Sequence, residues 1–380
     1  MEKSHRQVFS SRGEDTNKRT VIIVSPSLDA TKNVSGISAV TQFIISNNVE
    51  CGYVHFELGR RDKERKGVFR LYSLIKSYGK WRRLMKKNTE TVVHYNFPLS
   101  MASIIRDPLF MYEALRCGHR MLVHIHGGVF LTHYEKAPWF IRWILRKVFA
   151  WKVPFVVLGD NEKQIVEDKF NAKRVMVLPN CVDLSDATAY HRSINREKPL
   201  VLGYIGRIAE TKGMGFLLQA CVQLKRRGVP FIMKLAGAEE VKDYFLPMFD
   251  SYLGNHFVYS GVVSGKKKNE FLRSLDVFVL PSFFEGLPMS LLECMSYGAV
   301  PVTTDVGSIG EVVKDRKNGL IIKGHDAESI VETVMQLDAD RNLLEQLGGM
   351  AKETIFEKFN PQKYISELNS LYDECPIMHS

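Results

Sequence analysis

The sequence predicts an α/β protein of two doubly wound parallel-sheet domains in tandem, facing each other across a cleft. Three observations carry this expectation. Short apolar runs rich in β-branched residues alternate with helix-length segments along nearly the whole chain. The alternation is broken by one polar, proline-bearing stretch, HRSINREKP at 191–199. And 380 residues are more than one hydrophobic core usually serves.

In the first half the strand-like runs are TVIIVSP (20–26), YVHFEL (53–58), TVVHYN (91–96), MLVHIHG (121–127), PFVVLGD (154–160) and RVMVLPN (174–180). Helical patterns lie between them at 36–48, 99–117 and 161–170. After the 191–199 linker a second series follows: LVLGYIG (200–206), FIMKLAG (231–237), HFVYSG (256–261), VFVLP (277–281), VPVTT (300–304) and GLIIK (319–323). Its helical patterns are 213–227, 268–275, 288–298 and 326–347. The segment NPQKYISELNSLYDE (360–374) opens on Asn-Pro and reads as a final helix packing across the domain boundary. The expected units are a loose tail (1–19), a first domain (20–190), the linker (191–199), a second domain (200–358) and a crossover helix with a tail (359–380).

Composition excludes several classes. Hydrophobic residues make up 45% and charged residues 25%, as in ordinary globular proteins. The six cysteines form no CxxC pair, which argues against a disulfide framework or a zinc site and suits a reducing cytosol. The first twenty residues have no apolar core, so they are not expected to be a secretory leader. No stretch approaches the roughly 20 apolar residues of a spanning helix. Charge is uneven: residues 1–196 hold 32 Lys and Arg against 18 Asp and Glu, whereas the chain as a whole is only +10. A basic half meets nucleic acid, an anionic membrane or an anionic substrate, or merely keeps the chain soluble.

Two strand–loop–helix units carry chemistry. GYIGRIAETKGMGFLLQA (203–220) brings Gly206, Arg207 and Lys212 into one loop before a helix. Glycine lets backbone approach a ligand, the helix N-terminus favours anions, and two cations suit a diphosphate. An exposed loop with surface cations is the plainer alternative. It is not a Walker loop, because GxxxxGK[ST] is absent. The second unit, VFVLPSFFEGLPMSLLECMSYGAVP, places Glu285 in a loop and Glu293 eight residues on, in a helix starting near Pro288. Carboxylates in so apolar a run need partners. Pairs of vicinal hydroxyls on a sugar or ribose suit them, and they are too sparse for a metal cluster.

The Glu285/Glu293 pair, the following GAVPVTTDVGSIGEVV and the upstream GRIAETKG together resemble the retaining glycosyltransferases of family 4, which have the GT-B fold of two Rossmann-like domains. The resemblance is continuous over the second half and looser over the first. It implies that Arg207 and Lys212 hold the diphosphate of a nucleotide-sugar donor, a UDP- or GDP-sugar, with no further cofactor or metal required. It implies that Glu285 faces the donor sugar and Glu293 the ribose, with the backbone of Gly206, Gly286 and Leu287 close by. In the first domain, Gly36 within TKNVSGISAVTQF (31–43) matches the loop that closes over the diphosphate, without the family's second glycine. His126, before Gly127-Gly128, matches the histidine near the donor sugar; His124 and His133 are weaker candidates. DVGSIGEVV (305–313) departs from the usual Gly-Gly-x-Pro-Glu, though Glu311 keeps its place. The implied reaction is transfer to an acceptor hydroxyl, with Arg207 and Lys212 stabilising the leaving diphosphate.

Residues 60–87 hold twelve Lys and Arg, and WFIRWILRKVFAWK (139–152) mixes three Trp with four cations. Both suit interfacial helices on an anionic membrane; for 139–152 a core helix is an equal alternative. The leading expectation is therefore a peripheral enzyme on the cytoplasmic face of the plasma membrane, extending a lipid-linked or other saccharide acceptor for a bacterial surface polysaccharide. The alternatives are a soluble transferase with a small acceptor and a nucleotide-sugar epimerase of the same fold. Nucleic acid is not an expected partner, since no motif for it is present.

Overall fold

The computed structural model describes residues 18–29, 35–59, 68–87, 91–127, 131, 134–323 and 326–376. Two six-stranded parallel sheets form the chain's two cores. The first contains β1 (Arg19–Ser25), β2 (Cys51–Glu57), β3 (Val92–Phe97), β4 (Arg120–Ile125), β5 (Phe155–Val157) and β6 (Val175–Val177), in the order β2-β1-β3-β4-β5-β6. Its helices are α1 (Gly36–Asn47), α2 (Val68–Lys87), α3 (Met101–Arg116), α4 (Trp139–Phe149) and α5 (Asp160–Phe170); the one-turn α6 (Ser185–Thr188) then leads toward the second core. The second sheet contains β7 (Leu200–Ile205), β8 (Phe231–Ala236), β9 (Phe257–Tyr259), β10 (Val277–Leu280), β11 (Val300–Thr303) and β12 (Leu320–Ile321). Its order is β12-β11-β10-β7-β8-β9. Around it lie α7 (Met214–Arg226), α8 (Phe245–Leu253), α9 (Gly265–Arg273), α10 (Met289–Ser296), α11 (Ile309–Val312), α12 (Ala327–Ala339) and α13 (Arg341–Lys358). A last helix, α14 (Pro361–Asp373), follows.

Every expected strand forms; the central strands are buried on both faces, as parallel strands covered by helices must be, while the edge strands β2 and β9 are partly exposed. The two sheets are similar but not copies. Strand order reverses between β1 and β3 in one and between β7 and β10 in the other. The helix expected over 326–347 is two helices. Asp340 breaks it with non-helical backbone (φ −121, ψ 88) and caps α13 by accepting from the Asn342 and Leu343 amides at 3.1 and 3.0 Å. Helix α8 was not foreseen. Arg19 belongs to β1 rather than to a tail, because Arg19 donates to the Asn369 carbonyl on α14; residues 1–17 lie outside the described residues.

The chain joins the second core earlier than the linker suggested. Val182, Leu184 and Ala187 are buried with Leu200, Leu202 and the other second-sheet residues. At the other end, α14 crosses back. Its Tyr364, Leu368 and Tyr372 bury against Val21, Ile23, Val40 and Ile44 of the first domain. Asn360 caps it and Pro361 opens it, as the Asn-Pro signal implied.

Candidate active site between the two domains

Ligands of open parallel sheets bind where strand order reverses, beyond the carboxyl ends of the strands. In the second domain that point lies between β7 and β10. The loops leaving these strands are the two that the sequence singles out. A cavity of about 670 Å³ opens there toward the first domain, lined by Lys212, Glu285 and Gly286 on one side and His126 and Glu162 on the other. The volume is that of an ordinary small-molecule site.

Lys212 ends a short 3-10 turn, Glu210–Lys212, that stops on Gly213 at φ 72. A Cβ at Gly213 would fall 2.1 Å from the Pro281 carbonyl oxygen, so only glycine lets the two loops touch. Lys212 Nζ donates to Glu285 Oε1 at 2.7 Å, and Ser282 Oγ donates to the same oxygen at 2.7 Å. The loop is braced from behind by Gly307 (φ 60), where a Cβ would meet the Glu285 carbonyl oxygen at 2.1 Å. Arg207 stands apart from this pair. Its guanidinium is 3.9 Å from Glu240 and well exposed, and it does not line the cavity. Gly206, at φ 155, packs against the Tyr204 ring and lets its carbonyl sit against Gly237.

Glu293 sits on α10 and is held by Lys268 of α9 at 2.8 Å, outside the cavity lining. The two carboxylates of the apolar run therefore find partners within the chain, where the sequence had suggested a ligand. The lysines come from elements 73 and 25 residues away, a distance no local pattern reveals. Leu287 is buried and gives its carbonyl to Asn180 Nδ2 at 2.8 Å. Gly36 opens α1 behind the Ser35 cap, with open space where a Cβ would stand. His126 Nε2 lies 2.6 Å from Asn96 Oδ1, and burial pushes its pKa down to about 3. His124 is fully buried beneath it, with its ring centroid 4.2 Å away. His133 and Gly128 lie outside the described residues.

Three features had no sequence signal. The domains touch glycine to glycine: a Cβ at Gly127 would lie 2.6 Å from Gly286 Cα. Helix α5 of the first domain has no cap of its own side chains. Glu311 of the second domain supplies one, accepting from the Asp160 and Asn161 amides at 2.9 and 3.1 Å. Gly159 makes room for that carboxylate, since a Cβ there would fall 2.3 Å from Glu311 Oε1. Finally, Glu162, one turn into α5, is buried in the cavity wall and accepts from the Leu158 amide at 3.0 Å. Burial raises its pKa to about 7, and Glu311 adds to the rise.

Residues 186–354 match the family described as glycosyl transferases group 1. Among curated relatives, the uncharacterized glycosyltransferase MJ1069 of Methanocaldococcus jannaschii is 24% identical over 70% of this chain and 71% of its own. The putative colanic acid biosynthesis glycosyltransferase WcaL of Escherichia coli is 30% identical over 46% of this chain and 45% of its own. The chain thus spans about half the length of that relative. Among solved structures, sucrose-phosphate synthase of Thermosynechococcus elongatus superposes with a TM-score of 0.76 at 14% identity, over 94% of this chain and 99% of that one. Anabaena HepE, solved with UDP-glucose, gives 0.68 at 13% identity, over 92% and 99%. The second half of the chain is thus similar to the group 1 glycosyl transferases, and the chain as a whole has the two-domain GT-B fold of these solved structures.

Proposed function

We propose that this chain is a retaining transferase that moves a sugar from a UDP- or GDP-sugar to a hydroxyl of a lipid-linked saccharide in bacterial surface polysaccharide synthesis. The observation that carries the reading is the interdomain cavity with the Lys212–Glu285 pair on one wall and His126 on the other. Lys212 is placed to stabilise charge on a departing diphosphate, with Arg207 reinforcing it from the rim. Glu285 accepts from sugar hydroxyls, and Glu293 serves the ribose. Gly206, Gly286 and Leu287 lend backbone along the donor, and Gly36 lets the first domain close on the phosphates. The acceptor hydroxyl attacks from the first-domain side. Relatives named for colanic acid and capsular polysaccharide biosynthesis support the surface-polysaccharide class, and the UDP-glucose held by HepE supports the donor class.

The membrane reading draws on three neighbouring helices. Tyr72 and Ile75 on α2, Ile105, Leu109 and Tyr112 on α3, and Trp139 and Trp143 on α4 are exposed, and α3 lies between the other two. The inner stripe of α4 (Ile141, Leu145, Val148 and Phe149) is buried, as the core alternative expected, and the membrane reading uses only its outer face. Lys76, Lys80, Arg142 and Lys147 accompany the apolar stripe along α2 and α4. No helix among the described residues is long and apolar enough to cross a membrane. The peripheral site is placed on the cytoplasmic leaflet, where anionic lipid adds about 1 kcal/mol per nearby cation.

A panel of nucleotide sugars screened by thermal stabilisation, followed by transfer assays with the stabilising donor, tests the activity. A sugar–lipid product that keeps the donor's anomeric configuration is the expected result. Inversion, or release of free sugar alone, sinks it. Flotation with anionic liposomes at low salt tests the membrane contact: wild type floats, and a Trp139→Ser, Trp143→Ser variant stays with the pellet.

A further inference from the structure

We propose that Asn96 is a positioning residue that holds His126 as its Nε2–H tautomer, so that His126 meets a hydroxyl in the cavity as a hydrogen-bond acceptor through Nδ1. The proposal rests on the reading above that His126 faces bound substrate. Its physical basis is a set of hydrogen bonds whose directions are fixed by chemistry.

Asn96 lies at the end of β3 and is buried. Its Nδ2 donates to the Val24 carbonyl at 2.8 Å and toward Thr41 Oγ1 at 3.3 Å. A carbonyl oxygen only accepts, so the amide nitrogen must point that way. Asn96 Oδ1 is then the atom 2.6 Å from His126 Nε2. An amide oxygen also only accepts, so Nε2 carries the proton. A neutral imidazole has one donor and one acceptor, which leaves the lone pair on Nδ1. His126 lines the cavity, and among the described residues no partner occupies Nδ1.

A second chain of bonds keeps the surroundings neutral. Asn48 Nδ2 donates to Tyr53 Oη at 2.8 Å, and Tyr53 donates to Tyr372 Oη at 3.4 Å. The Tyr372 proton is thereby directed to His94 Nδ1, 2.7 Å away. His94 must then donate through Nε2 to His124 Nδ1 at 3.2 Å. His124 stacks on His126 with its ring 28° from parallel. Burial holds His94 at about 3 and His124 well below the usual range. The crossover helix thus reaches the site through Tyr372, fixing two uncharged rings under His126.

The test is the nitrogen spectrum of the full-length protein labelled with 15N-histidine, with His126 assigned by its loss in His126→Gln. Wild type should show a protonated Nε2 and a bare Nδ1 between pH 6 and 8. A protonated Nδ1, or an even mixture of tautomers, overturns the proposal with no variant needed. In Asn96→Ala the tautomers should mix and kcat fall roughly tenfold with little change in donor KM. An unchanged tautomer and kcat would also overturn it. In Asn96→Asp the Nε2 proton stays, and the added carboxylate raises the His126 pKa. The rate should then acquire an acid limb that the wild type lacks. His94 and His124 are neutral there, and Glu162, Lys212 and Glu285 face the cavity in both proteins, so the limb reports residue 96. Full turnover in His126→Gln would remove the reading that His126 serves substrate while leaving the tautomer result standing.

Discussion

Glu285 and Glu293 come from one apolar stretch, and each is paired with a lysine at under 3 Å. There the likeness ends. Glu285 leaves β10 in a loop, takes a second hydrogen bond from Ser282, and lines the cavity with Lys212. Glu293 rides a helix and pairs with a lysine of the preceding helix, away from the cavity lining. A shared spacing and a shared partner type therefore do not make a shared role. What separates them is the geometry of the switch point, which gathers the loops after β7 and β10 and leaves the helix flank outside.

Breaking the cavity pair should have the largest effect. Lys212→Ala and Glu285→Gln should each lower kcat by roughly 10²-fold or more with the fold intact by circular dichroism, because both act on charge or hydroxyls at the reacting end. The flank pair should respond differently. Glu293→Gln should raise donor KM by about tenfold with kcat nearly kept, the pattern of a binding contact away from the chemistry. Equal losses of kcat in the two glutamate variants would erase the distinction.

Two carboxylates from opposite domains sharpen the same contrast. Glu162 is buried with its pKa raised from 4.5 to about 7. The folded chain then holds this proton more tightly than the unfolded chain. Its stabilising contribution is fully present below pH 4.5 and is lost as pH rises through 7. Glu162→Gln cannot ionise, so it should melt higher than wild type at pH 8, by about 3 kcal/mol. Scanning calorimetry should show the gap vanishing near pH 4.5; a constant gap would mean Glu162 is not the titrating group. Glu311→Ala removes only the cap on α5, so a loss of about 1 kcal/mol is expected, the smallest effect of the set. Gly159→Ser offers a cap from within the first domain, but with Glu311 in place its Cβ would strike that carboxylate and Ser308 Oγ, so alone it should lower stability.

The fold was almost wholly legible because parallel strands buried on both faces must be continuous apolar runs, and because Pro, Gly and Asn mark the ends of elements. The misreadings have local causes. At 326–347 the apolar period runs on through Asp340, and only its capping bonds reveal the break. Residues 182–187 resemble the end of the first domain, yet their apolar side chains bury in the second core.

For the site, the sequence by itself determined which loops carry charge and glycine. The Gly206–Lys212 loop and the Glu285–Gly286 loop were visible because glycine, lysine and glutamate at strand ends are locally unusual. It also determined that His126 ends a strand. The tertiary structure alone decided the partners: Lys212 for Glu285, Lys268 for Glu293, Asn96 for His126, and Glu311 for a helix of the other domain. Each of these pairs joins residues at least 25 positions apart, and four-residue or two-residue periodicities carry no information at that range. Hydrogen-bond direction is decided later still. The proton on His126 is placed by an amide on β3, which is placed in turn by a carbonyl on β1.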